Sequence, residues 1–274
     1  VNTGHGEFLT EKIYLDAYQQ IVSAGEEKYP EVTTAINNRV KDGVLILNYV
    51  GHANERFMAD EHVLDISNVN SWSNGKNLPI FVTATCEFSR FDDYHLTSTG
   101  EQILLSPDGG GIALVSTTRL VYSSPNFTLN YKFINNLFKF NEDSTSHYRL
   151  GDLIKISKNL SGTGNNKRNF TLLGDPALML RYPELGAEIT SINGKPVDEE
   201  ADTLKALSVA NLSGRIFTPI GQVASDFSGN ATITVFDKKS EIKTLANDGG
   251  MPMTFFSWDN VLYKGRAIVN NGLF

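Results

Sequence analysis

Continuously apolar, β-favouring segments alternate with helical segments before residue 183, and this alternation constrains the fold most strongly. The apolar segments are residues 44–50, 79–85 and 111–116. Their length and their lack of polar alternation are typical of strands buried on both faces. Strands that alternate with helices indicate a mostly parallel sheet with right-handed crossovers. The sequence therefore predicts an α/β domain over residues 1–183.

Helical spacing of apolar residues fills the stretches between the predicted strands. Apolar residues three and four apart, with capping residues at the ends, predict helices in this domain. The predicted helices cover residues 10–25, 30–43, 66–72, 98–105, 127–140 and 149–160.

The pattern changes to short alternating strands after residue 183. Segments 188–192, 204–209, 231–236, 241–245 and 254–256 alternate apolar and polar residues, and Asn193-Gly194 is a hairpin turn signal. Strands of this kind with little helical signal are typical of an immunoglobulin-like β-sandwich. We expect an all-β domain over residues 184–274 that lacks a strand, in a fragment clipped at both ends.

Composition excludes several classes of protein and site. The chain of 274 residues carries 24 basic and 31 acidic side chains, a net charge of −7, which argues against nucleic acid as a partner. Its one cysteine excludes an internal disulfide and a multi-cysteine metal cluster. The apolar runs are too short to span a bilayer. Cys86 is thereby left as either a core residue or a lone reactive thiol.

A histidine and the cysteine follow two successive predicted strands. Gly51-His52 comes directly after the first strand and Cys86 directly after the second. In a parallel sheet the carboxyl ends of neighbouring strands meet at one edge, where ligands bind. An imidazole beside a thiol can take its proton and generate the nucleophilic thiolate. The pair predicts acyl transfer through a thioester, while a packed Cys86 and a His52 that serves only in a turn remain the alternative.

Several sequence blocks resemble the gingipain-type cysteine peptidases. They include the histidine and cysteine segments, and the likeness extends over residues 1–183. The blocks are residues 48–53, 78–86, 111–113, 116–118, 122–125 and 172–178. Within the family, segments 51–64 and 86–92 look most like the sortase-like signal peptidases of the type IX secretion system in Bacteroidota.

The resemblance implies a caspase-like α/β domain in which Cys86 is the nucleophile and His52 the general base and acid. It also implies that the backbone N–H groups of Ala53 and Cys86 stabilise the oxyanion. The acid that orients His52 is expected upstream of Val1, so the isolated fragment is expected to lack it.

Three residues are candidates for a substrate pocket. Glu7 is the acidic candidate in the turn before the first predicted helix, and it does not suffice to predict specificity for arginine or lysine. Arg119 and Tyr122 follow the third predicted strand and would wall the pocket, although ordinary loop roles remain open for both. No cofactor is expected. Asp92-Asp93 offers carboxylates for calcium, but a solvated acidic loop is the favoured interpretation because calcium needs six to eight oxygens.

Partners and location follow from the resemblance alone. It implies secreted cargo with C-terminal signal domains, other outer-membrane components of type IX secretion, and anionic lipopolysaccharide that supplies an amine. It also implies an exported protein at the outer membrane or cell surface of a Gram-negative bacterium. Two alternatives are a gingipain-like endopeptidase that only hydrolyses and a non-catalytic adhesion or scaffold module.

Overall fold

The computed structural model describes residues 8–141, 146–197, 208–258 and 260–274. The chain divides into two compact units. One contains Lys12–Leu180 together with Lys243–Met253, and the other contains Arg181–Ile242 and Thr254–Phe274 with residues 8–11. The region that the sequence assigns to the second domain thus contributes residues 243–253 to the first unit.

The first unit contains strands and helices in alternation. Its strands are β1 (Ile21–Ser23), β2 (Glu26–Lys28), β3 (Ile46–Val50), β4 (Phe57–Met58), β5 (Leu64–Asp65), β6 (Ile80–Ala84), β7 (Ala113–Thr117) and β8 (Phe170–Leu173). Its helices are α1 (Pro30–Asp42), α2 (Ile66–Asn70), α3 (Thr99–Leu105), α4 (Ser123–Leu137) and α5 (Leu150–Asn159). Short 3₁₀ helices occupy Leu15–Ala17 and Asn165–Arg168.

A four-stranded sheet in the order β3-β6-β7-β8 forms the centre of this unit. Strands β3, β6 and β7 are parallel, and β8 runs antiparallel to β7. The mostly parallel sheet is therefore confirmed. The central strands β6 and β7 are buried at every residue, whereas Val50 at the end of the edge strand β3 is 56% exposed. A central strand has neighbours on both sides, which explains why the continuous apolar pattern fits β6 and β7 better than β3.

Helices cover the sheet with apolar residues at helical spacing. Phe81 of β6 packs in one cluster with Val32 and Val40 of α1 and with Ile103 of α3. Helix α4 lies against β6 and buries Leu129, Phe133 and Leu137. Burial of these large side chains makes the main favourable contribution to the free energy of folding of this unit.

The helix predicted over residues 10–25 is wrong. The segment forms the 3₁₀ helix and the hairpin of β1 and β2, in which Ser23 pairs with Glu26. Asp16 accepts hydrogen bonds from the backbone N–H groups of Ala246 and Asn247, which lie 230 and 231 positions further along the chain. These long-range contacts and the β-branched pair Ile21-Val22 outweigh the local helical spacing.

The second unit is built from strands in its described residues. The strands after residue 185 are β9 (Gly186–Ile192), β10 (Lys195–Pro196), β11 (Leu212–Phe217), β12 (Gly229–Phe236), β13 (Ser240–Lys243), β14 (Thr254–Ser257) and β15 (Val261–Val269). They pair as β10-β9-β11, β12-β15 and β13-β14. The predicted turn at Asn193-Gly194 joins β9 to β10, with both residues at positive φ. The predicted strand 204–209 lies largely outside the described residues, and the immunoglobulin-like sandwich stays a prediction.

Candidate active site

Strands β3 and β6 deliver His52 and Cys86 to the same edge of the sheet. Their last paired residues are Val50 and Ala84, and the ladder continues one step as the Gly51 N–H donates to the Ala84 carbonyl at 3.3 Å. His52 lies two residues beyond Val50, and Cys86 lies two residues beyond Ala84. The parallel register therefore brings the backbone of both residues to equivalent positions past the carboxyl ends of neighbouring strands.

The turn that carries His52 is held through its carbonyl group. This oxygen accepts hydrogen bonds from the Tyr49 hydroxyl at 2.6 Å and from the Ala59 N–H at 2.8 Å. A Cβ atom at Gly51 would lie 2.7 Å from the Tyr49 oxygen, so a larger residue there would displace this hydroxyl. Burial raises the pKa of Tyr49, which keeps this hydroxyl a donor. The His52 side chain itself is exposed.

Cys86 lies at the start of a loop that runs along the end of β7. Its side chain is half-buried, and the thiol donates a weak hydrogen bond to the Val121 carbonyl, with 3.6 Å between sulfur and oxygen. The backbone N–H of Ser89 donates to the Thr117 carbonyl at 3.0 Å. Glu87, directly after the cysteine, has a φ of 50°. This left-handed conformation is uncommon for a residue other than glycine.

Two backbone N–H groups at this edge remain available to a ligand. Neither Ala53 nor Cys86 donates its N–H to an acceptor among the residues that the structure describes. Ala53 faces Met58 in an isolated antiparallel bridge. The hydrogen bonds of this bridge involve the adjacent residues, since the Asn54 N–H donates to the Phe57 carbonyl and the Ala59 N–H donates to the His52 carbonyl. Free N–H groups beside a nucleophile can stabilise an oxyanion.

Arg119 is brought beside the Cys86 loop and is already paired. Its guanidinium binds both oxygens of Asp92, one of them at 2.8 Å, and its carbonyl accepts the Glu87 N–H at 3.4 Å. The Arg119 hydrogen bonds lower the pKa of Asp92 to about 2. Tyr122 precedes α4 and its side chain is 80% exposed. Arg119 and Tyr122 therefore lie on the segment next to Cys86, while Glu7 lies outside the described residues.

The two carboxylates of the acidic loop after Cys86 are both engaged in hydrogen bonds. Arg119 occupies both carboxylate oxygens of Asp92, and Asp93 accepts the backbone N–H of His95 at 3.0 Å. Across the described ranges, no group of three or more His, Cys, Asp or Glu side chains is arranged to hold a metal ion. The Arg119 ion pair of Asp92 fits the solvated acidic loop that the sequence favours over a calcium site.

Sequence reasoning missed three residues that shape this edge. Tyr49 reads as an ordinary strand residue, yet its hydroxyl reaches the His52 carbonyl. Arg90 follows Cys86 and forms an ion pair with Glu55, 35 positions earlier, at 2.9 Å. Nothing in the local pattern signals these contacts, since each depends on how the loops pack.

Comparison with known proteins identifies the family. The model of peptidase family C25 matches residues 1–181. The crystal structure of the Arg-specific cysteine proteinase gingipain R (RgpB) superposes with a TM-score of 0.50 at 16% identity, covering 92% of this chain and 49% of that one. The complex of the Porphyromonas gingivalis RgpB pro- and mature domains gives a TM-score of 0.51 at 15% identity, covering 92% and 50%. At these identities the likeness concerns the fold.

Another solved structure shares more sequence over a shorter stretch. Dimeric latent PorU from Porphyromonas gingivalis is 30% identical, with 59% of this chain and 16% of that chain covered and a TM-score of 0.32. No curated protein matches the chain significantly. The chain spans about half the length of the gingipain chains it matches. Since the family model covers most of the chain, the protein belongs to peptidase family C25, the gingipain family of cysteine peptidases.

Proposed function

We propose that this chain supplies the catalytic dyad of a cysteine peptidase, with Cys86 as nucleophile and His52 as general base and acid. The supporting observation is the parallel register of β3 and β6, which ends at Val50 and Ala84, two residues before His52 and Cys86. Cys86 is also the only thiol of the chain. Membership of a cysteine peptidase family therefore leaves it as the one sulfur nucleophile within this sequence.

The reaction follows from the chemistry of the two side chains. His52 takes the proton of Cys86, and the thiolate attacks the scissile carbonyl carbon to form the carbon–sulfur bond. The N–H groups of Ala53 and Cys86 would donate to the oxyanion. When the carbon–nitrogen bond breaks, the leaving amine takes the proton from His52 and a thioester remains. A second nucleophile then releases the acyl group and returns the thiol.

Substitution of the two residues in the full-length protein tests the dyad. We expect Cys86→Ala and His52→Ala to abolish cleavage of a substrate protein, while His95→Ala, an exposed histidine in the loop after Cys86, retains it. Iodoacetamide should alkylate Cys86 in the folded wild-type protein and do so more slowly in His52→Ala. Cleavage by Cys86→Ala would contradict the proposed dyad. A wild-type protein that neither cleaves substrate nor reacts at its thiol until unfolding would favour an adhesion or scaffold module.

We propose that the site does not select a basic side chain next to the scissile bond. Three carboxylates beside the site already contact arginines, since Asp92 pairs with Arg119, and Glu55 and Glu87 share Arg90. Each of the three therefore already has an arginine partner. Peptides that differ only in the residue before the cleaved bond should show no preference for arginine or lysine over uncharged residues. A preference above tenfold for a basic residue would refute this assignment.

We further propose that the thioester is passed to an amine, as in a sortase of the PorU type. The support is the sequence of segments 51–64 and 86–92, which resembles that branch of the family. The proposed substrates are secreted cargo proteins with C-terminal signal domains, and the proposed acceptor is an amine on anionic lipopolysaccharide. The partners would be outer-membrane components of type IX secretion and the location the cell surface. No helix in the described residues is long and apolar enough to cross a membrane.

Mass spectrometry of the processed cargo distinguishes transfer from hydrolysis. With an amine acceptor present, transfer gives a cargo carboxyl terminus joined to the acceptor by an amide bond. Hydrolysis gives the free acid and would identify a gingipain-like endopeptidase. Cargo that is processed normally in a strain carrying Cys86→Ala would rule out both.

A further inference from the structure

One ion pair joins the loop that carries His52 to the loop that carries Cys86. The Arg90 guanidinium lies 2.9 Å from a Glu55 carboxylate oxygen and 3.7 Å from a Glu87 carboxylate oxygen. Glu55 is three residues after His52, and Glu87 directly follows Cys86. Both glutamate side chains are only 20% exposed. The cation is therefore shared between carboxylates that belong to the two catalytic loops.

The first turn of α3 fixes the backbone on both sides of this ion pair. The Thr99 N–H donates to the Glu55 carbonyl at 2.8 Å, and the Thr99 hydroxyl donates to the Arg56 carbonyl at 2.5 Å. The Gly100 N–H donates to the Phe88 carbonyl at 3.1 Å. Helix α3 therefore already holds both loops through hydrogen bonds to their backbone. The Arg90 side chain adds a direct ionic contact between the two loops.

The Arg90 cation offsets the repulsion between the Glu55 and Glu87 carboxylates. Without Arg90, Glu55 and Glu87 would be two partly buried carboxylates with no opposite charge between them, and like charges repel. Glu87 also has the left-handed backbone conformation next to the nucleophile. A contact that holds its side chain therefore also restrains the residue whose backbone follows Cys86.

We propose that Arg90 is a positioning residue that sets the separation of His52 and Cys86 by bridging Glu55 and Glu87. This inference rests on the proposed dyad. Arginine suits the position because its planar guanidinium can donate to two carboxylates at once, whereas lysine supplies a single point charge.

The test compares Arg90→Gln, Arg90→Lys and Glu55→Gln in the full-length protein. We expect Arg90→Gln to lower kcat about 10- to 100-fold with KM within about twofold, since small displacements of reacting groups cost that much. The rate at which iodoacetamide labels Cys86, followed by mass spectrometry of its peptide, should fall in parallel. Arg90→Lys should recover part of both losses, and Glu55→Gln should be milder than Arg90→Gln because it removes one of the two repelling charges.

A matched control removes an arginine of a comparable ion pair elsewhere. Arg149 contacts Asp152 at 2.8 Å at the start of α5, so Arg149→Gln should leave kcat and labelling unchanged. The proposal is overturned if Arg90→Gln keeps the wild-type kcat, or if its kcat loss only follows a loss of folded protein and Arg90→Lys does not reverse it. Activity in Cys86→Ser or His52→Ala would instead refute the dyad, whatever Arg90→Gln does.

Discussion

Single residues at the edge of the sheet show how ionic contacts set protonation. Arg119 donates to both carboxylate oxygens of Asp92 and lowers the pKa of that carboxyl to about 2 from 3.8. Because the folded-state pKa is the lower one, the stabilisation from this pair is fully present above pH 3.8 and is lost as the pH falls through about 2. Both side chains are nearly half exposed, so solvent screens the effect.

Arg119→Gln should return the pKa of Asp92 toward 3.8. An NMR titration of the Asp92 carboxyl carbon measures this directly. The difference in Tm between the variant and the wild type should be small at pH 6 and vanish below pH 2. Arg149→Gln is the control, because it removes the hydrogen bonds that lower the pKa of Asp152. An unchanged Asp92 titration in Arg119→Gln would mean that the pair does not form in solution.

The two proposed catalytic residues were accessible to sequence reasoning, and their supporting contacts were not. His52 and Cys86 follow strands whose apolar pattern is local, so their common edge could be inferred from the alternation of elements. Arg90 and Glu55 meet where their two loops both contact the first turn of α3, which follows them in the chain. No periodicity encodes that meeting, and charged loop residues look alike in sequence whether or not they pair.

At the scale of elements, α3 approaches the Cys86 loop without room for a side chain. A Cβ atom at Gly100 would lie 2.2 Å from the Ser89 hydroxyl and 2.5 Å from the Phe88 carbonyl oxygen. Gly100→Ala should therefore push α3 and the loop apart and destabilise the fold by about 1–3 kcal/mol. Thermal and urea unfolding measure the loss.

The matched control for Gly100 is Gly164. A Cβ atom at Gly164 would meet nothing within 4 Å, and its φ of −63° suits any residue. Gly164→Ala should leave the free energy of unfolding nearly unchanged. Equal free energies of unfolding of the two alanine variants would show that α3 and the Cys86 loop can move apart without loss of stability.

Helix α4 offers a paired test of core and surface. Phe133 is fully buried, whereas Phe127 on the same helix is 59% exposed. Phe133→Ala should lower the free energy of unfolding by about 3–5 kcal/mol because it leaves a cavity. Phe127→Ala should change it by less than about 0.5 kcal/mol. Urea denaturation of both variants measures the contrast, and similar losses would place the core boundary elsewhere.

The elements that sequence predicted well are those whose burial matches their local pattern. Strands β6 and β7 and helix α1 lie close to their predicted ranges, since central strands and amphipathic helices display their environment in sequence. Strand β8 was missed as a sheet member because Phe170–Leu173 is short and pairs antiparallel to β7. The helix predicted over residues 10–25 is absent although its apolar spacing is helical. Hydrogen bonds from residues 246 and 247 hold this segment in another conformation.

At the scale of the whole molecule, a distant segment completes the first unit. Asp16 accepts the N–H groups of Ala246 and Asn247 at 3.0 and 2.8 Å, and the Asn247 amide donates to the Tyr18 carbonyl at 3.0 Å. The hydrogen bond from the Asn247 backbone is the main cause that lowers the pKa of Asp16. The stabilisation is therefore present above pH 3.8 and is lost as the pH falls through the lowered pKa.

Asp16→Asn should weaken this attachment, since an amide offers one acceptor oxygen in place of two. We expect a loss of about 1–3 kcal/mol and faster hydrogen exchange at the amides of Ala246 and Asn247. Asp226→Asn, at an exposed aspartate of the second unit, should change neither. Unaltered exchange at residues 246 and 247 in Asp16→Asn would show that other contacts hold the segment.

The position of Lys243–Met253 has a consequence for the order in which the protein is made. A ribosome synthesises the chain from its amino end. The unit that contains His52 and Cys86 therefore lacks segment Lys243–Met253 until residue 253 has left the ribosome. The second unit up to Ile242 is translated in the interval. The proposed peptidase half therefore reaches its final form late, after most of its neighbour exists, and a nascent chain arrested before residue 243 should present that half in a looser, protease-sensitive state.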